Sequence, residues 1–175
     1  VSDVCRDNSV TCLAPTKAFN LAGLQTAAVM VPDPVIRHKL ERGLNTDEVA
    51  EPNSFAVGAA VAAFREGEPW LEELREYLAE NKCCVRRFME EHLPEIRVVP
   101  SQATYLLWLD CGSLTEDAGE LSGFIRQDSG LYLTEGEEYG ACGKRFIRLN
   151  PACPRGRLQE GLERLKTSLE RWRRL

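Results

Sequence analysis

Apolar residues recur at helical spacing in two segments of the chain, with charged residues between them. The first segment predicts an amphipathic helix that begins near Pro69 and ends near Glu91, with an apolar stripe of Leu71, Leu74, Leu78, Val85 and Phe88. The second predicts a terminal helix over residues 155–173, with a stripe of Leu158, Leu162, Leu165, Leu169 and Trp172. Each stripe needs a surface on which to pack.

The first third of the chain carries shorter patterns. Residues 9–13 (SVTCL) are apolar and β-branched and stop before Pro15, which predicts a buried strand followed by a loop. The prolines at 32 and 34 open a short helix that reaches Leu40, and the segment LERGLNTDEVAEPN then predicts a polar connection. The Ala-rich residues 54–65 predict a buried helix.

From Ile96 onward, extended and helical patterns alternate and predict a separate small α/β unit. IRVVPSQATYLLWLD predicts two extended segments around Pro100, the second apolar enough to be covered on both faces. LTEDAGELSGFIRQD predicts a helix, LYLTEGEEYGACGK a brief strand with a Gly-rich loop as a mobile rim, and KRFIRLN a strand. The predicted fold class is therefore α/β.

Composition and charge exclude several classes of protein. The 175 residues are 43% hydrophobic and 28% charged, which is typical of one soluble domain or two small ones. With 22 Lys and Arg against 27 Asp and Glu, the net charge of −5 argues against a nucleic-acid partner. No apolar run has the length of a membrane span, so we expect no membrane partner and a cytoplasmic protein. The seven cysteines form no metal-ligand pattern with the two histidines, which predicts reduced thiols and no metal site.

Lys17 directly follows the proline and the hydroxyl residue that end the first predicted strand. At the end of a buried strand an amine is desolvated, and a desolvated amine is a nucleophile toward carbonyl groups. The alternative is a solvated surface lysine, which the local composition by itself favours.

Alternation along the last predicted strand places Phe146, Arg148 and Asn150 on one face, opposite Arg145, Ile147 and Leu149. An arginine between apolar neighbours needs an anionic partner, and its planar fork suits a carboxylate. That carboxylate belongs either to this chain, in an internal salt bridge that the local pattern favours, or to a ligand.

Four segments resemble one known family. APTKAFNLAGLQ, residues 14–25, resembles the SKTFNLAGL signature around the cofactor-binding lysine of fold-type I pyridoxal-phosphate (PLP) enzymes, specifically the MalY/PatB branch of class I and II aminotransferases, which includes cystathionine β-lyases. FIRLNPACPR resembles the RxNxACPR block of that branch, EPNSFAVGAAVAAFREGEPWLEELREYL its interdomain segment, and ATYLLWLD a fourth block. The blocks follow the family's order over nearly the whole chain.

The resemblance implies a cofactor, pyridoxal 5'-phosphate, and residues that bind it or the substrate. Lys17 is the lysine that holds PLP and acts as the base, the hydroxyl of Thr16 reaches the cofactor phosphate, and Arg148 binds the α-carboxylate of an amino-acid substrate. Tyr105 and Trp108 either line the substrate pocket or belong to the core. The implied activity is C–S β-lysis, as in cystathionine β-lyases, or amino transfer, in a homodimeric parent protein.

The resemblance also implies a domain organisation. Residues 1–51 are the end of the PLP-binding large domain, residues 52–94 the interdomain helices and residues 95–175 the small α/β domain. In this family the stretch before the connecting helix approaches the cofactor of the neighbouring subunit, so Asn53 and Ser54 are candidates for that contact, with a plain helix cap as the alternative.

The chain begins 16 residues before Lys17, whereas subunits of this family have a long N-terminal half. That half supplies a Gly-rich turn for the phosphate, an aromatic side chain on the pyridine ring and an aspartate for its nitrogen. We therefore expect a C-terminal fragment that is inactive by itself. The alternative is a free-standing module that binds a protein partner through an exposed apolar stripe on its terminal helix.

Overall fold

The first of two structural units ends at Leu74 and combines short helices with a ribbon of two short strands. The computed structural model describes residues 2–175. The two strands of the first unit pair antiparallel, with Thr11 opposite Met30. Its elements are α1 (Asp3–Asp7), β1 (Thr11–Leu13), β2 (Ala28–Met30), α2 (Pro34–Thr46), α3 (Ala56–Glu66) and the first part of α4 (Glu68–His92).

Local chemistry sets the helix boundaries in the first unit. Asp33 caps α2, because its carboxylate accepts a hydrogen bond from the Ile36 backbone N–H at 2.7 Å, and Pro34 occupies the first turn, where no N–H is needed. Gly67 separates α3 from α4. A Cβ at this position would lie 2.5 Å from Cε1 of Phe19, so only glycine lets the break pack on that ring.

Three predictions for the first unit are wrong in part. The strand over residues 9–13 forms as β1 but is exposed, because β2 is its only neighbour and no second layer covers this ribbon within residues 2–175. The helix over residues 54–65 forms as α3, yet only Ala56 and Ala63 are buried on it. The polar connection is helical as far as Thr46, since charged side chains suit the outer face of a helix.

The second unit, Arg75–Leu175, contains a four-stranded antiparallel sheet. Its elements after α4 are β3 (Arg97–Val98), β4 (Leu107–Asp110), α5 (Ala118–Ser129), β5 (Thr134–Glu135), β6 (Phe146–Leu149) and α6 (Arg155–Trp172). The strand order in the sheet is β3-β4-β6-β5. Asp117 caps α5 by accepting hydrogen bonds from two backbone N–H groups, and Gly130 ends the helix with a φ of 68°.

The two faces of this sheet differ. On one face Leu107, Leu109, Ile147 and Leu149 are buried in the core, and on the other Arg148 is half-buried, as are Trp108 and Phe146. The core has contributions from α4, α5 and α6 and consists of Val85, Met89, Leu93, Ile96, Leu107, Leu109, Cys111, Ala118, Leu121, Ile125, Leu133, Ile147, Leu149, Leu158, Leu162, Leu165 and Leu169.

The terminal helix forms as predicted, and its stripe is not available to a partner. The four leucines of the stripe are at most 5% exposed, and they pack in the same core as the buried face of the sheet. The free-standing module that needs an exposed stripe therefore has no support. The helix predicted from Pro69 to about Glu91 is also confirmed, as α4, and the strand KRFIRLN is confirmed as β6.

Candidate active site

Lys17 lies in a tight turn directly after β1. The backbone N–H of Phe19 donates to the carbonyl of Pro15 at 2.9 Å, and that of Leu21 donates to the carbonyl of Thr16 at 3.0 Å. Pro15 is buried and Thr16 is half-buried, whereas the side chain of Lys17 is exposed. The predicted desolvation of this amine is absent within residues 2–175, because β1 itself is exposed. The turn fixes the backbone on both sides of an accessible amine.

Part of the motif around Lys17 has a structural explanation. Asn20 and Gln25 have φ values of 55° and 47°, in the left-handed region, which asparagine tolerates better than most residues. The ring of Phe19 packs against Phe64 at a centroid distance of 6.0 Å and against Trp70 at 6.3 Å. These residues hold the shape of the turn, which leaves the amine and hydroxyl of the motif for chemistry.

Arg148 lies on β6, between its partner Trp108 on β4 and its partner Thr134 on β5. Its guanidinium donates a hydrogen bond from Nη2 to Oγ1 of Thr134 at 3.2 Å. The guanidinium carbon lies 4.8 Å from the centroid of the Tyr139 ring. Within residues 2–175 no carboxylate forms an ion pair with Arg148, so the internal salt bridge favoured by the local pattern is wrong for this residue.

The internal salt bridge forms instead at the neighbouring Arg145. Asp110 accepts hydrogen bonds from Nη2 of Arg145 at 2.8 Å and from Nη2 of Arg97 at 2.9 Å. Burial would raise the pKa of Asp110, but the hydrogen bonds from Arg97 and from the Gly112 N–H, with the charge of Arg145, hold it below its usual value of 3.8. One arginine beside β6 is thus paired with a carboxylate of this chain, whereas Arg148 has no such partner among the described residues.

Sequence reasoning missed a second cluster, which fixes the segment after β6. Asn81 on α4 is fully buried, and its amide donates to the carbonyls of Pro151 at 2.8 Å and Cys153 at 3.0 Å. Its oxygen accepts a hydrogen bond from Nε of Arg155, whose backbone N–H donates to the hydroxyl of Tyr77 at 2.7 Å. Arg155 is visible in the ACPR block, whereas no local pattern distinguishes Asn81 from an exposed helix residue.

Asn53 and Trp108 make contacts within the chain. Asn53 accepts a hydrogen bond from the backbone N–H of Phe55 at 2.9 Å in the turn before α3, but the N-cap residue of α3 is Phe55, which has no side-chain cap, so the plain helix cap is wrong for Asn53. Ser54 is exposed. Trp108 packs edge-on against Tyr139 and Phe146, at 5.5 and 6.0 Å. A contact of Asn53 or Ser54 with a neighbouring subunit stays a prediction.

Metal-binding clusters and membrane-spanning helices are both absent from the part of the chain that the structure describes. No group of three or more His, Cys, Asp or Glu side chains in residues 2–175 could hold a metal ion. No helix among these residues has the length and apolar character that crossing a membrane requires.

Comparisons with known proteins agree with the four sequence blocks. The profile of the family described as aminotransferase class I and II matches residues 5–165. Cystathionine beta-lyase PatB of Bacillus subtilis (strain 168) is 38% identical over 169 residues, which are 97% of this chain and 44% of that protein. Protein MalY of Escherichia coli (strain K12) is 32% identical over 162 residues, 92% of this chain and 42% of that protein.

Solved structures agree as well. The crystal structure of cystalysin from Treponema denticola, which contains a pyridoxal 5'-phosphate cofactor, is similar with a TM-score of 0.89 at 28% identity, over 97% of this chain and 43% of that one. The predicted α/β fold, that of the C-terminal part of a fold-type I PLP enzyme, is confirmed, and the chain spans less than half the length of the relatives it matches. With its family profile covering all but the ends of the sequence, the chain belongs to the class I and II aminotransferases.

Proposed function

We propose that this chain is the C-terminal part of a PLP-dependent enzyme that transforms amino acids, either a C–S β-lyase of the cystathionine β-lyase kind or an aminotransferase. The observation that carries the proposal is the half-buried guanidinium of Arg148, which has no carboxylate partner within residues 2–175, whereas Arg145 is paired with Asp110. A positive charge left in this state suits an incoming carboxylate. The name of PatB favours the lyase activity.

The residues of the turn after β1 fit the attachment of an aldehyde cofactor. Lys17 is exposed and forms no ion pair with any described residue, so its amine is available to a carbonyl carbon. The half-buried Thr16 precedes it with a hydroxyl that can donate to a phosphate oxygen. Bound there, PLP would supply an electron sink for the α-carbon of the amino acid.

The chain's own residues would then divide the work between binding and proton transfer. Arg148 binds the α-carboxylate through two N–H groups and fixes its orientation. Nζ of Lys17, once the amino group of the substrate has displaced it from the aldehyde carbon, would remove the proton from the α-carbon as a general base. In the lyase a thiolate then leaves the β-carbon, and the products after hydrolysis are a thiol, pyruvate and ammonia. In the aminotransferase the substrate would leave as its 2-oxo acid, and the amino group would pass to a second 2-oxo acid, which becomes the new amino acid.

We further propose that the 175 residues are inactive alone, and that the parent protein, meaning the longer protein of which they form part, is a cytoplasmic homodimer. The chain spans 44% of the length of PatB. The exposed surface of the first unit supports this proposal, because it includes large apolar side chains such as Val29, Met30 and Phe64. Such surface is normally buried by further chain or by a second subunit.

Kinetics of the parent protein test this proposal. With cystathionine, release of pyruvate measures lysis, and with a 2-oxo acid as acceptor, formation of the new amino acid measures transfer. We expect Lys17→Ala to abolish both and Arg148→Ala to lower kcat/KM by roughly 100-fold, because a charge-assisted pair with the carboxylate is lost. The matched control is Arg145→Ala, which removes an arginine already paired with Asp110. Equal losses in both arginine variants would overturn the role of Arg148.

A further inference from the structure

The guanidinium of Arg148 is held by two groups that do not neutralise it. On one side lies the face of the Tyr139 ring, with the guanidinium carbon 4.8 Å from its centroid. On the other, Thr134 accepts a hydrogen bond from Nη2 at 3.2 Å. A ring face attracts a cation without removing its charge, and a hydroxyl oxygen fixes one N–H in direction. The remaining N–H groups stay available to an anion.

Tyr139 is itself supported from the sheet. The ring of Trp108 meets it edge-to-face, with centroids 5.5 Å apart and planes at 86°. Trp108 is the strand partner of Arg148, so the indole, the phenol and the guanidinium form one cluster on the face of the sheet opposite the core. Aromatic pairs of this geometry are attractive beyond the area they bury.

Two glycines bring Tyr139 into this position. The segment from Gly136 to Gly143 folds back as two short 3-10 turns, Gly136–Tyr139 and Ala141–Gly143. A Cβ on Gly136 would lie 2.5 Å from the carbonyl oxygen of Gly143 and 2.8 Å from Cζ3 of Trp108. Gly140 between the turns has a φ of 121°, a backbone conformation that residues with a side chain rarely adopt. The Gly-rich loop is therefore closely packed at its base and places Tyr139 over the sheet.

We propose that Tyr139 and Thr134 are positioning residues for Arg148. The ring fixes the plane of the guanidinium and the threonine hydroxyl fixes its rotation, so that two N–H groups are directed together at one carboxylate. That the carboxylate belongs to an amino acid rests on the proposed function, whereas the preorganisation of the guanidinium rests on the contacts of this chain alone. Preorganised donors bind a carboxylate more tightly because less rotational freedom is lost on binding.

The test uses the 175-residue chain with ¹⁵N-labelled arginine side chains and acetate as the probe. Nuclear magnetic resonance follows the Arg148 Nε–H signal during titration with acetate, with acetamide as the neutral control and Arg148→Lys to assign the signal. We expect Tyr139→Leu and Thr134→Val each to weaken acetate binding at Arg148 by roughly 3- to 10-fold. The conservative variants Tyr139→Phe and Thr134→Ser keep the ring and the hydroxyl, and should stay within about 2-fold.

The backbone signals of Ile147 and Leu149, which lie on the buried face of the same strand, show whether each variant keeps its sheet. If Tyr139→Leu disturbs them, the pair Thr134→Val and Thr134→Ser decides the question. Acetate binding that is equal in the wild type and in the Leu and Val variants overturns the positioning role while the carboxylate role of Arg148 stands. Absence of any acetate response at Arg148 in the wild type overturns both. Failure of PLP to attach to Lys17 affects the proposed function only.

Discussion

The two units bury very different shares of their apolar side chains. Arg75–Leu175 encloses seventeen buried hydrophobic residues in one core, whereas among residues 2–74 the buried hydrophobic residues are Val31, Ala56 and Ala63, besides Pro15. In the first unit large apolar side chains on β2 and α3 are exposed, including Met30 and Phe64. The second unit thus has the core of a self-contained domain, and the first has apolar surface in excess of what its own residues cover.

Because of this difference, the positions of Arg148 and Lys17 are stabilised in different ways. Arg148 lies on a sheet whose other face is the core, so its strand partners are fixed by burial. Lys17 depends on a hydrogen-bonded turn and on the ring of Phe19. We therefore expect the geometry around Arg148 to be intact in this chain alone, and that around Lys17 to depend on the rest of the parent protein.

Removing a core leucine from the second unit should have the largest effect on stability. Leu165 is 1% exposed, so Leu165→Ala leaves a cavity and should lower the free energy of unfolding by about 2–5 kcal/mol. The control in the first unit is Val61→Ala, at a site that is 44% exposed, with an expected change below about 1 kcal/mol. Hydrogen exchange of peptides from each unit in urea measures both values. Similar losses would contradict the difference between the units.

The buried amide of Asn81 gives the next largest expected effect. Asn81→Ala leaves the carbonyls of Pro151 and Cys153 without their donor and should cost about 1–3 kcal/mol of unfolding free energy. It should also loosen the segment that follows β6. Asn45→Ala, at an exposed position on α2, is the matched control. Urea unfolding of the two variants measures the difference, and a result below the control would show that these hydrogen bonds contribute nothing.

Acid should weaken the second unit through Asp110. Its pKa in the folded chain lies below the unfolded value of about 3.8, so its ion pairs stabilise the fold fully above that value. The stabilisation is lost as the pH falls from about 4 through the lowered folded pKa. The difference between the urea unfolding midpoints at pH 7 and at pH 3 should therefore be smaller in Asp110→Asn than in the wild type. An unchanged pH dependence in the variant would assign the acid sensitivity to other carboxylates.

The reactivity of two cysteine thiols, one in each unit, should show the smallest effect. Burial, with the nearby charge of Asp110, raises the pKa of Cys111 to about 12, so this thiol stays protonated and enclosed. Cys12 on β1 is exposed. Brief treatment of the native chain with iodoacetamide at pH 8, followed by peptide mass spectrometry, should modify Cys12 and spare Cys111. Modification of both at one rate would show that the core opens readily.

The sequence predicted elements whose pattern is local and missed those that depend on distant partners. The apolar stripe of α6 and the alternating pattern of β6 each lie within one short segment of the chain, and the helix and the strand that they predict are confirmed. The short strand β2 was not predicted, because three small or apolar residues carry no strand pattern without their partner β1.

The same limit applies to the candidate site. Lys17, Thr16 and Arg148 are recognisable from motifs, and their roles stay predictions. That Arg145 is paired and Arg148 is not depends on Asp110, 35 residues from Arg145 in the chain, which no local pattern reveals. The hydrogen bond from Asn81 to Pro151 joins residues that are 70 positions apart, and the role of Asn81 was missed for the same reason.

The most direct test of the central claim is to locate PLP on the parent protein. Incubation with PLP, reduction with borohydride and peptide mass spectrometry identify the lysine that carries the pyridoxyl group. We expect saturable modification of Lys17, and loss of specific modification in Lys17→Ala with no transfer to Lys82 or Lys144. Modification of a different lysine at saturation, or no specific modification at all, would contradict it.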